Sequence, residues 1–346
     1  MRVLYIYSGE RKNKFKGKIG IDYPDTQFYG LNHLAKFGID AQFKEPPALL
    51  RKILGFRLTH MLSFFYMRGY DVVFGSSLMY MLFWQKIFRT KTKYVLLNVG
   101  FNRTLLVNKD KKFKFKIINW LLGELDWVVC LSNYQKKFFE EFVPSLRGEV
   151  SFVPLGVDTS YCRPIYEGRK NFILSAGRDN GRDYKTVVDV ARLMPEEEFH
   201  IVASKRNLKG VTDIPGNVKV FFDLSFEKLL VEYEEARILL LITHKDDYSD
   251  GSPDSGQTVL LDAMASGLPV IASRKEHLKD YVKEDKEFLA VDFYDSLGIK
   301  KTIERLNDKN MAQNMAQSAR EVVENRFSTE NMANQLAEVF KKVYER

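Results

Sequence analysis

Short, nearly unbroken apolar runs alternate with longer amphipathic ones along the whole chain, and this alternation leaves few folds open. In the first half, residues 3–7, 41–43, 71–74, 93–97 and 127–131 read as strands, and residues 151–154 end the first domain. In the second, residues 172–175, 199–203, 218–221, 238–242, 269–272 and 288–291 read as strands. Apolar strands separated by helix-length segments predict parallel sheets in an α/β protein. Helices are expected over residues 25–37, 47–68 and 101–122, and over a segment running to about residue 142 that Ser132 caps. A chain of 346 residues fits two domains. We expect a first domain over residues 1–157, a second over 158–328 and an amphipathic helix over 329–346.

The densest signal is the stretch from Asp250 to Ser273, which reads as loop, helix, turn and strand. Pro253, Ser255 and Gly256 mark the loop, and Ser255 is placed to cap a helix over about residues 256–266. Gly267 fits the position just past the helix and Pro269 ends it. Asp254 and Asp262 stand eight positions apart, one before the helix and one inside it. The amides of Gly256, Gln257 and Thr258 form a helix start of the kind that binds phosphate. Amides for a diphosphate and carboxylates for sugar and ribose hydroxyls together suit a sugar nucleotide.

This stretch resembles the donor-site motif of the retaining glycosyltransferases of family 4. The family pattern is Glu, seven residues, Glu, then Ala-Met-Ala-x-Gly-x-Pro-Val-Ile-Ala; here Asp254 and Asp262 precede the run from Ala263 to Ala272. The run from Val153 to Asp158 is similar to the family's inter-domain segment. Ser175 to Arg178, with Gly181 to Thr186, is similar to the start of its donor domain. The resemblance implies the GT-B architecture: two facing Rossmann-like domains, a cleft between them, and a last helix that returns to the first domain. It implies a hexosyltransferase that works with retention, moving sugar from a nucleotide-diphosphate donor to a hydroxyl of a glycan or lipid-linked acceptor, with no cofactor and no metal. Arg178 and a second cation, Arg182 ahead of Lys185, would stabilise the leaving diphosphate. Asp254 would act at the sugar and Asp262 at the ribose. Lys205, Phe222 and Asp223 would surround the base and ribose. Asp in place of Glu shortens each carboxylate's reach by one methylene, and Gln257 replaces a family glycine. These departures keep two other readings open: a catalytically silent subunit of the same fold that partners an active transferase, and an epimerase or phosphorylase on that fold.

Other features bound the partners. Residues 1–157 hold 25 Lys and Arg against 12 Asp and Glu, while residues 158–346 hold 28 against 33. The basic half wants an anionic partner. Its segments 47–68 and 101–120 read either as core helices with solvated Lys and Arg, or as interfacial helices on an anionic membrane. Arg11, Lys12, Lys14, Lys16 and Lys18 crowd one loop. No nucleic-acid motif is visible. Two cysteines make no disulfide framework, and Cys130 reads as a core thiol. No run is long and apolar enough for a membrane span, and residues 1–9 read as a strand rather than a leader. A cytoplasmic protein of cell-surface glycan synthesis, peripheral at the inner face of the membrane, is the expected setting. Asp246 to Gly251 is faintly similar to a calcium loop, but Tyr248 and Gln257 would stand at ligand positions that do not suit calcium. Where the family often carries a histidine after the fourth strand, this chain has Asn98 and Asn102, which are candidates to stand in by hydrogen bonding.

Overall fold

The computed structural model describes residues 1–12, 17–46, 48–165, 168–248, 250–251 and 254–346. Lys14, Lys16, Pro47, Ser249 and Pro253, named above, lie outside the described residues. The chain divides into two units. Unit 1 holds Met1–Lys16, Phe28–Pro154 and Glu330–Arg346; unit 2 holds Gly17–Gln27 and Leu155–Thr329.

Unit 1 is built on six parallel strands, β1 (Arg2–Ile6), β2 (Asp40–Phe43), β3 (Val72–Gly75), β4 (Lys93–Asn98), β5 (Trp127–Cys130) and β6 (Val150–Phe152). They stand in the order β2-β1-β3-β4-β5-β6. Its helices are α1 (Ala48–Leu62), α2 (Met79–Phe88), α3 (Phe101–Asn108), α4 (Lys112–Leu122) and α5 (Asn133–Phe142). Ser132 caps α5 by accepting from the Gln135 amide, as expected. The core is aliphatic and aromatic, with Leu4, Val73, Leu96, Val128 and Phe139 sealed from solvent.

Three expected helices of unit 1 are broken, the one over residues 101–122 dividing at residues 109–111 into α3 and α4. The helix expected over residues 25–37 is a pair of 3-10 turns, Asp25–Phe28 and Leu31–Phe37. Tyr29 and Gly30 between them have φ of 50° and 75°, and a Cβ on Gly30 would lie 2.9 Å from the backbone of Ala333. The close approach of that backbone, not helix propensity, decides the segment. The helix expected over residues 47–68 is interrupted at Gly55, with φ 71°, and ends in a 3-10 turn at Ser63–Tyr66. Helix α2 has no counterpart among the expected elements. Lys86 is its one charged residue, so no polar face sets a period.

Unit 2 has the strands β7 (Phe172–Ala176), β8 (Glu198–Ala203), β9 (Val218–Phe222), β10 (Ile238–Leu241), β11 (Val270–Ser273) and β12 (Leu289–Val291). All pair in parallel, in the order β12-β11-β10-β7-β8-β9. The connecting helices are α6 (Tyr184–Leu193), α7 (Phe226–Glu235), α8 (Gln257–Ala265), α9 (Ser296–Arg305) and α10 (Lys309–Arg326). Helix α11 (Thr329–Tyr344) follows, and Phe340 on it packs edge-on against Tyr5 and Phe74 of unit 1's own sheet. The strand order reverses between β7 and β10, and ligands of such sheets sit outside the carboxyl ends of the strands at that reversal.

Two arginines brace helix ends in unit 2. Arg169 donates to the carbonyls of Tyr233, Glu234 and Ala236 at the end of α7, and to those of Ser266 and Gly267 after α8. Arg320 of α10 donates to the carbonyls of Ala265, Cys162 and Thr159. These bonds satisfy carbonyls that a helix end leaves without intrahelical partners. Asp158 pins residues 17–27 to this unit: its Oδ2 accepts from the Asp25 amide at 3.0 Å, and its own amide donates to Thr26 Oγ1 at 3.0 Å.

Candidate functional site

Helix α8 is the frame of the site. Its C-terminus follows the expectation closely. The Gly267 amide donates to the Met264 carbonyl, and the Leu268 amide to the Ala263 carbonyl, with Gly267 at φ 66°. That pair of bonds needs a left-handed residue just past the helix, which glycine adopts without strain. The N-terminus differs. The helix begins at Gln257 and its cap is Gly256, at φ 109°, with no side-chain cap bond. Ser255 does not cap. Its hydroxyl is buried without a hydrogen-bond partner, and a Cβ on Gly181 would lie 2.6 Å from it. Ser255 therefore faces the loop after β7 rather than the α8 amides.

That loop carries Arg182 into the protein. Its side chain is 2% exposed and ion-paired through Nε to Asp179 Oδ2 at 3.0 Å. Among the described residues, Nη1 has no hydrogen-bond partner. The guanidinium lies flat against Gly177, where a Cβ would sit 2.2 Å from Nε, so any other residue there would displace the arginine. A Cβ on Gly256 would lie 3.5 Å from Nη1. Three predicted elements thus meet at one place: the loop after β7, the start of α8, and a buried cation with an unused N–H group. A buried N–H donor without a partner costs on the order of 1–3 kcal/mol, more when charged, and that cost is recovered when an anion accepts from it.

Asp254 and Gln257 flank this point, and both are buried. Thr258 follows on the first turn and is half-buried. Asp262 lies on the same helix but faces other neighbours. Burial, with the charge of Asp158 added, pushes its carboxyl up to about 7. The charge of Asp254 instead reaches Tyr281.

A second group forms at the ends of β8 and β9. Arg178 is half exposed, donates to the Leu224 carbonyl at 3.0 Å, and approaches Asp223 Oδ1 at 3.7 Å. Arg206 donates to the Arg178 carbonyl. Lys205 opens the 3-10 turn Lys205–Leu208 and is exposed, and Phe222 ends β9 with its ring 41% exposed. Arg178 and Arg182 therefore stand in different groups. Lys185 is exposed on α6 and pairs with Asp189 at 3.1 Å. A cavity of about 360 Å³ opens beside the loop, among Asn180, Arg182, Lys185, Arg206, His244 and Tyr248; of the residues singled out in the sequence as diphosphate cations it takes in Arg182 and Lys185.

Asn98 and Asn102 bond to each other. Both are sealed in unit 1, and Asn98 Nδ2 donates to Asn102 Oδ1 at 2.8 Å while Asn98 Oδ1 accepts from the Phe101 amide. Asn98 thus holds the first amide of α3. Among the described residues no three His, Cys, Asp or Glu side chains gather as metal ligands. Asp246, from the run similar to a calcium loop, takes the ammonium of buried Lys275 at 2.7 Å. Lys275 was not legible as a buried residue: it sits in the charged run Arg274 to His277, which reads as surface.

Residues 167–322 match the family model for glycosyl transferases group 1. No curated protein sequence matches the chain. Among solved structures, sucrose-phosphate synthase from Thermosynechococcus elongatus is 17% identical, with 99% of each chain covered and a TM-score of 0.73. HepE from Anabaena, solved with UDP-glucose, is 12% identical, with 99% of this chain and 100% of that one covered and a TM-score of 0.70. A glycosyltransferase from Rickettsia africae is 13% identical, with 100% and 98% covered and a TM-score of 0.63. The two parallel six-stranded sheets are those of the GT-B fold, and residues 167–322 of this chain are similar to the glycosyl transferases group 1.

Proposed function

We propose that the chain is a retaining glycosyltransferase that moves a hexose from a nucleotide-diphosphate sugar to a hydroxyl of a glycan or lipid-linked acceptor. The observation that carries this reading is the buried Arg182 guanidinium, with an N–H group unused, beside the start of α8. On this reading the diphosphate accepts from Arg182 and from the amides of Gly256, Gln257 and Thr258. Arg178 leaves its contacts with Asp223 and Leu224 to reach the second phosphate. Preorganised donors of this kind stabilise charge that grows on a leaving group. Asp254 orients the sugar. Asp262 takes the ribose hydroxyls, and Lys205, Phe222 and Asp223 border the base. The acceptor hydroxyl attacks from the face the diphosphate leaves and passes its proton to the leaving phosphate, so neither a metal nor a cofactor takes part. HepE was solved in complex with UDP-glucose, which makes UDP-sugars the first to try. The acceptor is engaged from the basic unit 1, in cell-surface glycan synthesis at the cytoplasmic face of a membrane.

Thermal shift with UDP-, GDP-, ADP- and TDP-sugars tests the reading, because a ligand that binds only the folded chain raises its melting temperature. One nucleotide should raise it, and the matching sugar should then be hydrolysed or transferred with its anomeric configuration kept. No shift with any donor overturns the donor site. A shift with no transfer or hydrolysis would make the chain a silent subunit. Isomerised free sugar nucleotide would make it an epimerase.

A further inference from the structure

Unit 1 carries a surface that is both apolar and basic. Twelve of the 23 large apolar side chains exposed among the described residues fall between residues 49 and 120. On α4, Phe113, Ile117 and Trp120 stand at i, i+4 and i+7, one face of a helix, and Phe113 is 80% exposed. The opposite face of α4 is already buried through Ile118 and Leu122. The helix is therefore apolar on two sides, and only one of them meets the core. Helix α2 repeats the arrangement with Phe83 and Ile87 exposed against buried Met81 and Leu82. Before its break, α1 exposes Leu49 and Ile53, each 69% exposed. The three helices are contiguous, since α1 packs on α2 and α2 on α4. Lys86 of α2 reaches over the Trp120 ring of α4 at 5.4 Å. Single exposed apolar residues are ordinary, but a run of them across three adjoining helices marks an interaction surface.

Charge identifies the partner. Residues 48–120 hold 14 Lys and Arg and two acidic residues, Asp71 and Asp110. Lys112, Lys114 and Lys116 alternate with Phe113 and Phe115 on α4 itself. A second copy of the same face would bring like charge against like charge. Nucleic acid would leave Leu49, Ile53 and Ile87 in water. Aromatic and aliphatic side chains set among lysines match the boundary between acyl chains and anionic headgroups.

We propose that α1, α2 and α4 form a docking face for an anionic phospholipid surface, independent of the donor site. The test uses the full chain with phosphatidylcholine vesicles, with and without phosphatidylglycerol, at low and at high salt. The chain should sediment with the phosphatidylglycerol vesicles at low salt and be released at 1 M salt on the order of the Debye screening involved. Phe113→Ser with Trp120→Ser should weaken binding by about tenfold or more, because their apolar area no longer leaves water. Lys112→Gln and Lys116→Gln should each weaken it about fivefold. All four substitutions lie on exposed positions, and an unchanged melting temperature shows that the fold has survived. Negligible binding, or equal binding to neutral and anionic vesicles, overturns the proposal. So does self-association that Phe113→Ser abolishes in a chain that ignores vesicles, which would assign the face to a second copy. Because donor binding is read separately by thermal shift, the failure of either reading leaves the other standing.

Discussion

The loop after β4 in unit 1 presents Asn98 and Asn102, and the loop after β7 in unit 2 presents Arg182; both follow the carboxyl end of a central strand. Every polar atom of the Asn98 side chain has a protein partner, in Asn102, Phe101 and a 3.5 Å contact to Cys130. Arg182 is as deeply buried, yet one of its nitrogens has no partner, and Ser255 and Thr243 close by have hydroxyls in the same condition. Native proteins rarely leave buried polar groups unmatched, and an exception asks for a partner that comes from outside. Central strands of two parallel sheets thus end in loops that serve different purposes. One is a closed network that holds α3, and the other is an unfinished one that an anion completes.

The largest expected effect breaks the comparison at Arg182. Arg182→Ala should lower turnover by about 10²–10³-fold, the range for loss of one preorganised charge stabiliser. Arg182→Lys, which keeps the charge but not the fork, should recover only part of it. Steady-state rates beside thermal melts separate this from unfolding, and a fully active Arg182→Ala removes the residue from the site. Asp254→Asn comes next. If Asp254 touches the sugar where charge changes, kcat should fall by more than about tenfold with little change in nucleotide affinity, as expected for an interaction made mainly in the transition state.

Asp262 gives a smaller effect of another kind. Asp262→Asn should weaken nucleotide binding by about 1–3 kcal/mol in titration calorimetry, with kcat nearly kept. Its raised pKa adds a pH signature. The carboxyl sits at about 7 in the folded chain against an ordinary 3.8, so folding favours its protonated form. That contribution to stability is full below about pH 4 and is lost as pH rises to about 7. The melting temperature of the native chain should therefore fall across that window more steeply than that of Asp262→Asn. Parallel profiles would show that the carboxyl is not buried as described. The smallest effect on function belongs to unit 1. Asn98→Ala should cost about 1–3 kcal/mol of stability, because it strands the Asn102 oxygen and the Phe101 amide, and should leave donor binding untouched. Lost donor affinity there would erase the contrast between the two loops.

Much of this was legible in the residues because it rests on local chemistry. Eleven of the twelve strands were readable, the central ones as apolar runs because both faces of a parallel sheet are covered there, while β6, three residues long, is too short to stand out. The end of α8 was readable because Gly267 and Pro269 act within one turn, and the ends of α11 because its apolar positions keep a helical period. The carboxylate spacing and the Gly-Arg pairs near Gly177 and Gly181 marked the site by resemblance to a family pattern.

What the tertiary structure alone decided has a common cause: each case depends on a residue far away in the chain. Gly30 breaks its helix because the backbone of Ala333 lies against it. Ser255 loses the capping role to Gly256 because it is turned toward Gly181, and Lys275 is buried because Asp246 meets it from another loop. Arg178, Arg182 and Lys185 are three cations within eight positions, yet one lies at the edge of a loop, one is buried beside α8 and one is in solvent. Side-chain charge is a property of the residue, so the sequence by itself determined that a basic cluster stands after β7. Burial and pairing are properties of what packs around it, so only the fold could single out Arg182.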